Sequence, residues 1–166
     1  MVLISAVTKA VTIPVIAAGG IATGRQMLAA MVMGAEGVQM GSRFVASQEA
    51  SSHINFKQAV INAAEGDTLL SLKKLTPVRL MKNKFFKQIQ EAETRGADEV
   101  ELRELLGMAR AKKGMFEGNL DEGELEIGQV SSLLDGILPA AEIVENVWRE
   151  FVEGLNHPLK NTTFIE

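Results

Sequence analysis

Two short glycine turns carry the clearest chemistry in the sequence: Ala17-Ala18-Gly19-Gly20 and Gln39-Met40-Gly41-Ser42. A phosphate dianion is held well by backbone N–H groups that converge on one spot. Glycine lets the backbone come close, because no Cβ intervenes. Gly20 lies just before Thr23, which with Gln26 gives the reciprocal capping pattern of a helix start. A helix beginning there is expected to add its unpaired N–H groups and the positive end of its dipole. Gly41 and Ser42 are expected to add further N–H groups, and Ser42 a hydroxyl. Either turn alone reads equally well as an ordinary tight turn. The pair carries the phosphate reading because of where the neighbouring elements put it.

Leu3, Val7 and Val11 recur at helical spacing until Pro14 stops the helix. Val15-Ile16-Ala17-Ala18 is apolar on both faces, as a strand of a covered parallel sheet would be. Met27, Leu28, Met31 and Val32 form the apolar face of the next helix, and Gly34 ends it. Gly37-Val38-Gln39-Met40 reads as a second strand. Two parallel strands joined by a helix make a right-handed crossover, so both turns fall at the C-terminal edge, where β/α folds bind ligands. Downstream, 49–64 reads as helix, 68–75 as extended up to Pro77, and 84–93 as helix. Asp98 and Glu101 promise a second capping box. Gly114, Gly118, Gly123 and Gly128 punctuate an irregular stretch. A final amphipathic helix beyond Pro139 carries Ile143, Val144, Val147, Trp148 and Phe151.

The remaining candidates read as structural. His53 falls on an expected helix, where packing explains it better than acid–base work, and His157 lies towards the end of the chain. The basic residues between Arg79 and Lys87 read as a solvated face rather than a patch for an acidic partner. Glu117, Asp121, Glu122, Glu124 and Glu126 lack the histidine or tight spacing of a metal site and read as a solvated loop. With no cysteine, disulfide and thiolate chemistry are excluded. A net charge of −4 gives no reason to expect nucleic acid or an acidic membrane as partner. The longest uncharged run, 10–24, is shorter than the ~18 apolar residues of a membrane span and contains Pro14. No signal peptide is read, and the expected location is cytoplasmic.

The segments Ile13-Pro14-Val15-Ile16-Ala17-Ala18-Gly19-Gly20-Ile21-Ala22 and Gly34-Ala35-Glu36-Gly37-Val38-Gln39-Met40-Gly41-Ser42-Arg43-Phe44 resemble the nitronate monooxygenase family, formerly 2-nitropropane dioxygenases. That family includes the FMN-dependent type II enoyl-acyl carrier protein reductases. The likeness continues through Thr76-Pro77-Val78-Arg79, Lys82-Asn83-Lys84-Phe85, Glu117-Gly118, Gly123 and Gly128-Gln129. It implies an α/β fold: the last two strands of a (β/α)8 TIM-type barrel plus a mostly helical C-terminal extension. It implies FMN, its phosphate held at Gly20 and at Gln39, Met40, Gly41 and Ser42, with Gly19 included by adjacency. The family usually has threonine where this chain has Ser42, which keeps a hydroxyl. Gln129 is placed loosely near the flavin.

On this resemblance 1–64 belongs to the barrel, 65–155 to the helical extension and 156–166 to a tail. The implied activity is oxidation of alkyl nitronates with O2, with enoyl thioester reduction by NAD(P)H through FMN as the alternative. A small-molecule substrate, an acyl carrier protein in the reductase case, and a homodimer are the partners it suggests. Family members are about twice this length, and their catalytic histidine precedes the strand resembling Val15–Ala18. No catalytic residue is therefore expected here, and a truncated, non-catalytic fragment is the third reading.

Overall fold

The computed structural model describes residues 2–157, so the expected tail lies outside the described residues beyond His157. The chain divides into two compact units, one of residues 1–41 with 138–166, the other of residues 42–137.

The first unit runs α1 (Val2–Ala10), β1 (Ile16–Ala18), α2 (Gly24–Val32), β2 (Gly37–Gln39) and, much later, α7 (Ala140–Asn156). β1 and β2 are parallel, with Ile16 opposite Gly37, Ala17 opposite Val38 and Ala18 opposite Gln39. α2 is the crossover between them. Thr23 and Gln26 form the expected capping box at its start. A small core of Ala17, Ile21, Ala30 and Ala35, joined by Ile4, Val38 and Met40, fills the side facing the helices.

The expectation that β1 is covered on both faces is corrected. Ala17 is buried, whereas Ile16 is 56% exposed and Ala18 is exposed. Strand side chains alternate, so Ile16 and Ala18 share the face away from the helices. In a closed barrel that face looks towards the axis. α7 packs on α2 instead, where glycine permits close approach: a Cβ on Gly24 would lie 2.2 Å from the Val147 carbonyl oxygen. Ile143 and Phe151 are buried, but Val144 and Trp148 are more than half exposed, so the apolar stripe of α7 is narrower than its sequence suggested. Trp148 stacks on Phe151 with ring centroids 5.4 Å apart.

The second unit holds α3 (Ser42–Val45), α4 (Ile54–Ile61), β3 (Thr68–Ser71), β4 (Val78–Met81), α5 (Lys84–Thr94) and α6 (Glu99–Leu106). A π turn at Lys112–Phe116 and a 3-10 turn at Gln129–Leu133 follow. Contrary to expectation, Pro77 does not close the extended structure. It precedes β4, which pairs antiparallel with β3 in a hairpin. Leu72 turns the corner with φ of 56°.

Leu72, Leu80, Phe85, Phe86, Ile89 and Leu102 form the core beneath the hairpin. Asn83 ties it together: its Oδ1 accepts from Phe86 N, and its Nδ2 donates to the Leu120 and Gly123 carbonyls, all at 2.8 Å. Asp98 caps α6 by accepting from Glu101 N at 3.0 Å. The reciprocal arm expected of Glu101 is not made, because its carboxylate pairs with Arg95.

Candidate functional site

The parallel register places the two glycine turns side by side. Ala18 stands opposite Gln39, so Gly19-Gly20 and Met40-Gly41 leave the same edge of the ladder, on strands that run about 4.8 Å apart. Gly20 has φ of +71°, which by itself favours glycine. Gly41 differs. Its φ is not positive, and a Cβ there would meet nothing within 4 Å. Neither backbone geometry nor packing within the chain explains a glycine at 41. Close approach by an external group does, and the open space beside Gly19, Gly20 and Gly41 fits one.

The helix beyond the first turn contributes less than its sequence promised. Gln26 Oε1 accepts from Ala22 N at 2.8 Å and from Thr23 N at 3.2 Å. Thr23 Oγ1 accepts from Gln26 N at 3.2 Å, and Glu150 Oε2 accepts from Gly24 N at 2.7 Å. The first-turn donors of α2 are thus largely committed, and a carboxylate already sits at its positive end. An anion at this edge would draw on the backbone of the turns themselves.

Ser42 begins α3, and its hydroxyl accepts from Gly128 N at 3.0 Å. One lone pair is committed, while its O–H proton remains available to donate. Gln39 and Gly41 are exposed, and Met40 is partly buried against the small core. Gln129 begins the 3-10 turn and is exposed.

The other candidates take structural parts. His53 precedes α4 rather than lying within it. Its Nδ1 accepts from Asn55 N at 3.1 Å, which makes it the cap of that helix. Arg79 donates to the Thr68 carbonyl and hydroxyl at 3.0 and 3.2 Å. Lys84 donates to Glu122 at 2.5 Å. That hydrogen bond, with the charge attraction, raises the Lys84 pKa, and the same bond lowers that of Glu122. Among the described residues no three of His, Asp or Glu gather as a metal site.

Two acidic residues depart from the solvated-loop expectation. Residues 125–127 run along β4: Met81 N donates to the Leu125 carbonyl at 2.9 Å, and Ile127 N to that of Arg79 at 3.1 Å. Glu124 is consequently buried, at 6% exposure. Burial first, and the neighbouring Glu126 charge second, push its pKa up to about 7, against a smaller opposing pull from Arg110. The alternation in Glu124-Leu125-Glu126-Ile127 was the available signal.

A parallel β/α crossover with two glycine turns at one C-terminal edge defines the class: β/α proteins of barrel type, which bind ligands at that edge. The nitronate monooxygenase family model matches residues 1–150, and the chain belongs to that family. It is 34% identical over 158 residues to a probable nitronate monooxygenase of Staphylococcus saprophyticus, covering 94% of this chain and 44% of the relative. FabK from Thermotoga maritima is similar with a TM-score of 0.87 and 40% identity, over 93% of this chain and 49% of that one. A nitroalkane oxidase from Streptomyces ansochromogenes follows at a TM-score of 0.78 and 28% identity, over 95% and 45%. The fold is α/β, shared with TIM-barrel enzymes, and the family is one of flavin-dependent oxidoreductases acting on small molecules. The chain spans about half the length of these relatives. Among the described residues no helix is long and apolar enough to cross a membrane.

Proposed function

We propose that this chain forms the phosphate-gripping wall of an FMN site in an oxidoreductase that oxidises alkyl nitronates with O2. The observation that carries the reading is Gly41, a glycine that neither φ nor packing requires, in register with the Gly19-Gly20 turn. When bound, FMN would supply the electron acceptor for the nitronate, with O2 as co-substrate. The chain's own work is to bind and orient. Backbone at Gly20 and at Gln39, Met40, Gly41 and Ser42 holds the phosphate, with Gly19 shaping the turn. No acid–base residue is assigned within the chain, since His53 Nδ1 is committed to its helix cap.

Enoyl thioester reduction by NAD(P)H is the second reading. It is favoured by the 40% identity to FabK, an enoyl-acyl carrier protein reductase, against 34% to the Staphylococcus saprophyticus protein over similar spans. Titration of the chain with FMN and with riboflavin, followed by flavin fluorescence, tests the phosphate grip. FMN is expected to bind at least tenfold tighter, and equal affinities would overturn the reading. Assay of the longest polypeptide that carries this chain separates the activities. Turnover with NADPH and crotonyl thioester, but not with nitronate and O2, would replace the first reading by the second.

A further inference from the structure

The hairpin unit contains a pocket of about 280 Å³, remote in sequence from the glycine turns. Leu72, Leu75, Val78 and Leu106 give it apolar walls, Glu124 and Glu126 line it, and Arg103 stands at its exposed rim. Glu124 and Glu126 are two apart on an extended segment, so both carboxylates project to the side opposite the buried Leu125 and Ile127. Glu124 is more than nine-tenths buried, and no described residue gives its carboxylate a hydrogen bond or an ion pair. The nearby Arg110 favours its charge at a distance but makes no hydrogen bond or ion pair with it. That guanidinium donates to the Leu105, Leu106 and Glu122 carbonyls and lies 4.7 Å from the centre of the Phe85 ring.

The Glu124 oxygens reach the pocket rather than being sealed off; a largely buried carboxylate with no protein donor among the described residues is still costly, and a second carboxylate near it adds repulsion. We propose that this pocket binds a small primary alkylammonium, its nitrogen between Glu124 and Glu126 and its alkyl chain against the leucines. An ammonium carries three donors and one positive charge, which suit two carboxylates lining one pocket. The apolar walls reward a short hydrocarbon body at about 25 cal/mol per Å² covered. A divalent cation is a poor match, because it needs six or more oxygen ligands or retained water, and beyond the two glutamates the lining offers only leucine, valine, the exposed Thr76 and the cationic Arg103.

The groups that set the protonation of Glu124 are Glu126, which disfavours its charge, and Arg110, which favours it, with Arg103 at the rim. A bound cation favours the ionised form, so binding displaces a proton wherever Glu124 is protonated beforehand. Affinity therefore rises with pH between 6 and 8 and levels off above.

Calorimetric titration of the full chain with n-butylammonium, and with n-butanol as the uncharged match, tests this independently of any flavin. Saturable 1:1 binding of the amine alone is expected, tightening about tenfold from pH 6 to pH 8. Glu124→Gln should weaken it at least tenfold and abolish the pH dependence. Glu126→Gln, at a partly exposed position, should weaken it severalfold without loss of the folded circular-dichroism spectrum. Nα-acetyl-lysine amide replaces butylammonium in a parallel arm, and the tighter of the two names a free amine or a peptide lysine as the natural guest. No saturation with either amine, equal binding of butanol, or unchanged affinity in both variants would overturn the proposal.

Discussion

Glu150 Oε2 accepts the Gly24 backbone N–H at 2.7 Å, joining the middle of α7 to the first turn of α2. The carboxylate satisfies an orphan donor and sits at the positive end of a helix. Glu150→Ala is therefore expected to cost about 1–2 kcal/mol in urea unfolding, more than an ordinary surface substitution. Gly24→Ala should cost more, because its Cβ would lie 2.2 Å from the Val147 carbonyl and push α7 away. A Gly24→Ala chain as stable as wild type would show that α7 does not press on α2 there.

Gly20 and Gly41 separate conformation from ligand approach. Gly20→Ala places a Cβ at φ of +71° and should destabilise the chain by about 1 kcal/mol while also weakening FMN. The Cβ that Gly41→Val adds meets nothing within 4 Å in the chain, so the urea midpoint should stay near its wild-type value. The substitution should nonetheless weaken FMN at least tenfold, read by flavin fluorescence. If Gly41→Val bound FMN normally, the space beside residue 41 would not be the phosphate position.

The burial of Glu124 sets a pH dependence with a definite sign. Its pKa is raised from 4.5 to about 7 in the folded chain. The stability this group leaves intact below pH 4.5 is lost as pH climbs towards 7, because the unfolded chain releases the proton more readily. The shift corresponds to at most about 3 kcal/mol, and partial access to water through the pocket makes about 2 kcal/mol the better expectation. Glu124→Gln removes the penalty. It should exceed wild type by that amount at pH 8 and match it near pH 4.5 in chemical unfolding. A constant difference across this range would assign the pKa shift to another group.

The first forty residues were legible because local signals there agree with the packing. Thr23 and Gln26 form their capping box, Gly34 ends the helix, and the two strands pair in parallel. What escaped depends on partners distant in sequence. Nothing near Gly24 announces Glu150, so the first-turn donors of α2 looked free when they are not. Glu124 looked solvated because its loop composition is acidic, and pairing of the segment with β4 is what buries it. The hairpin strand after Pro77 was missed because proline at a strand's start reads as a stop unless the ladder beside it is known. Glu101 shows the same limit at short range, since Arg95 outcompetes the Asp98 backbone for its carboxylate.

His53 supplies the last test, because its ring holds a helix start. Nδ1 accepts from Asn55 N at 3.1 Å, the backbone N–H of His53 donates to the Met115 carbonyl at 2.8 Å, and Gly118 closes against the ring. A Cβ on Gly118 would lie 2.2 Å from Nδ1, and its φ of +77° already favours glycine. Capping needs only a side-chain acceptor at this position. His53→Asn should therefore keep the stability of the chain within about 0.5 kcal/mol, whereas His53→Ala should cost about 1 kcal/mol. Neither should change FMN affinity. Urea unfolding and flavin titration of the two variants check this together. If Asn failed to replace His53 while both variants lost flavin binding, the ring would belong to the site and not to the helix cap.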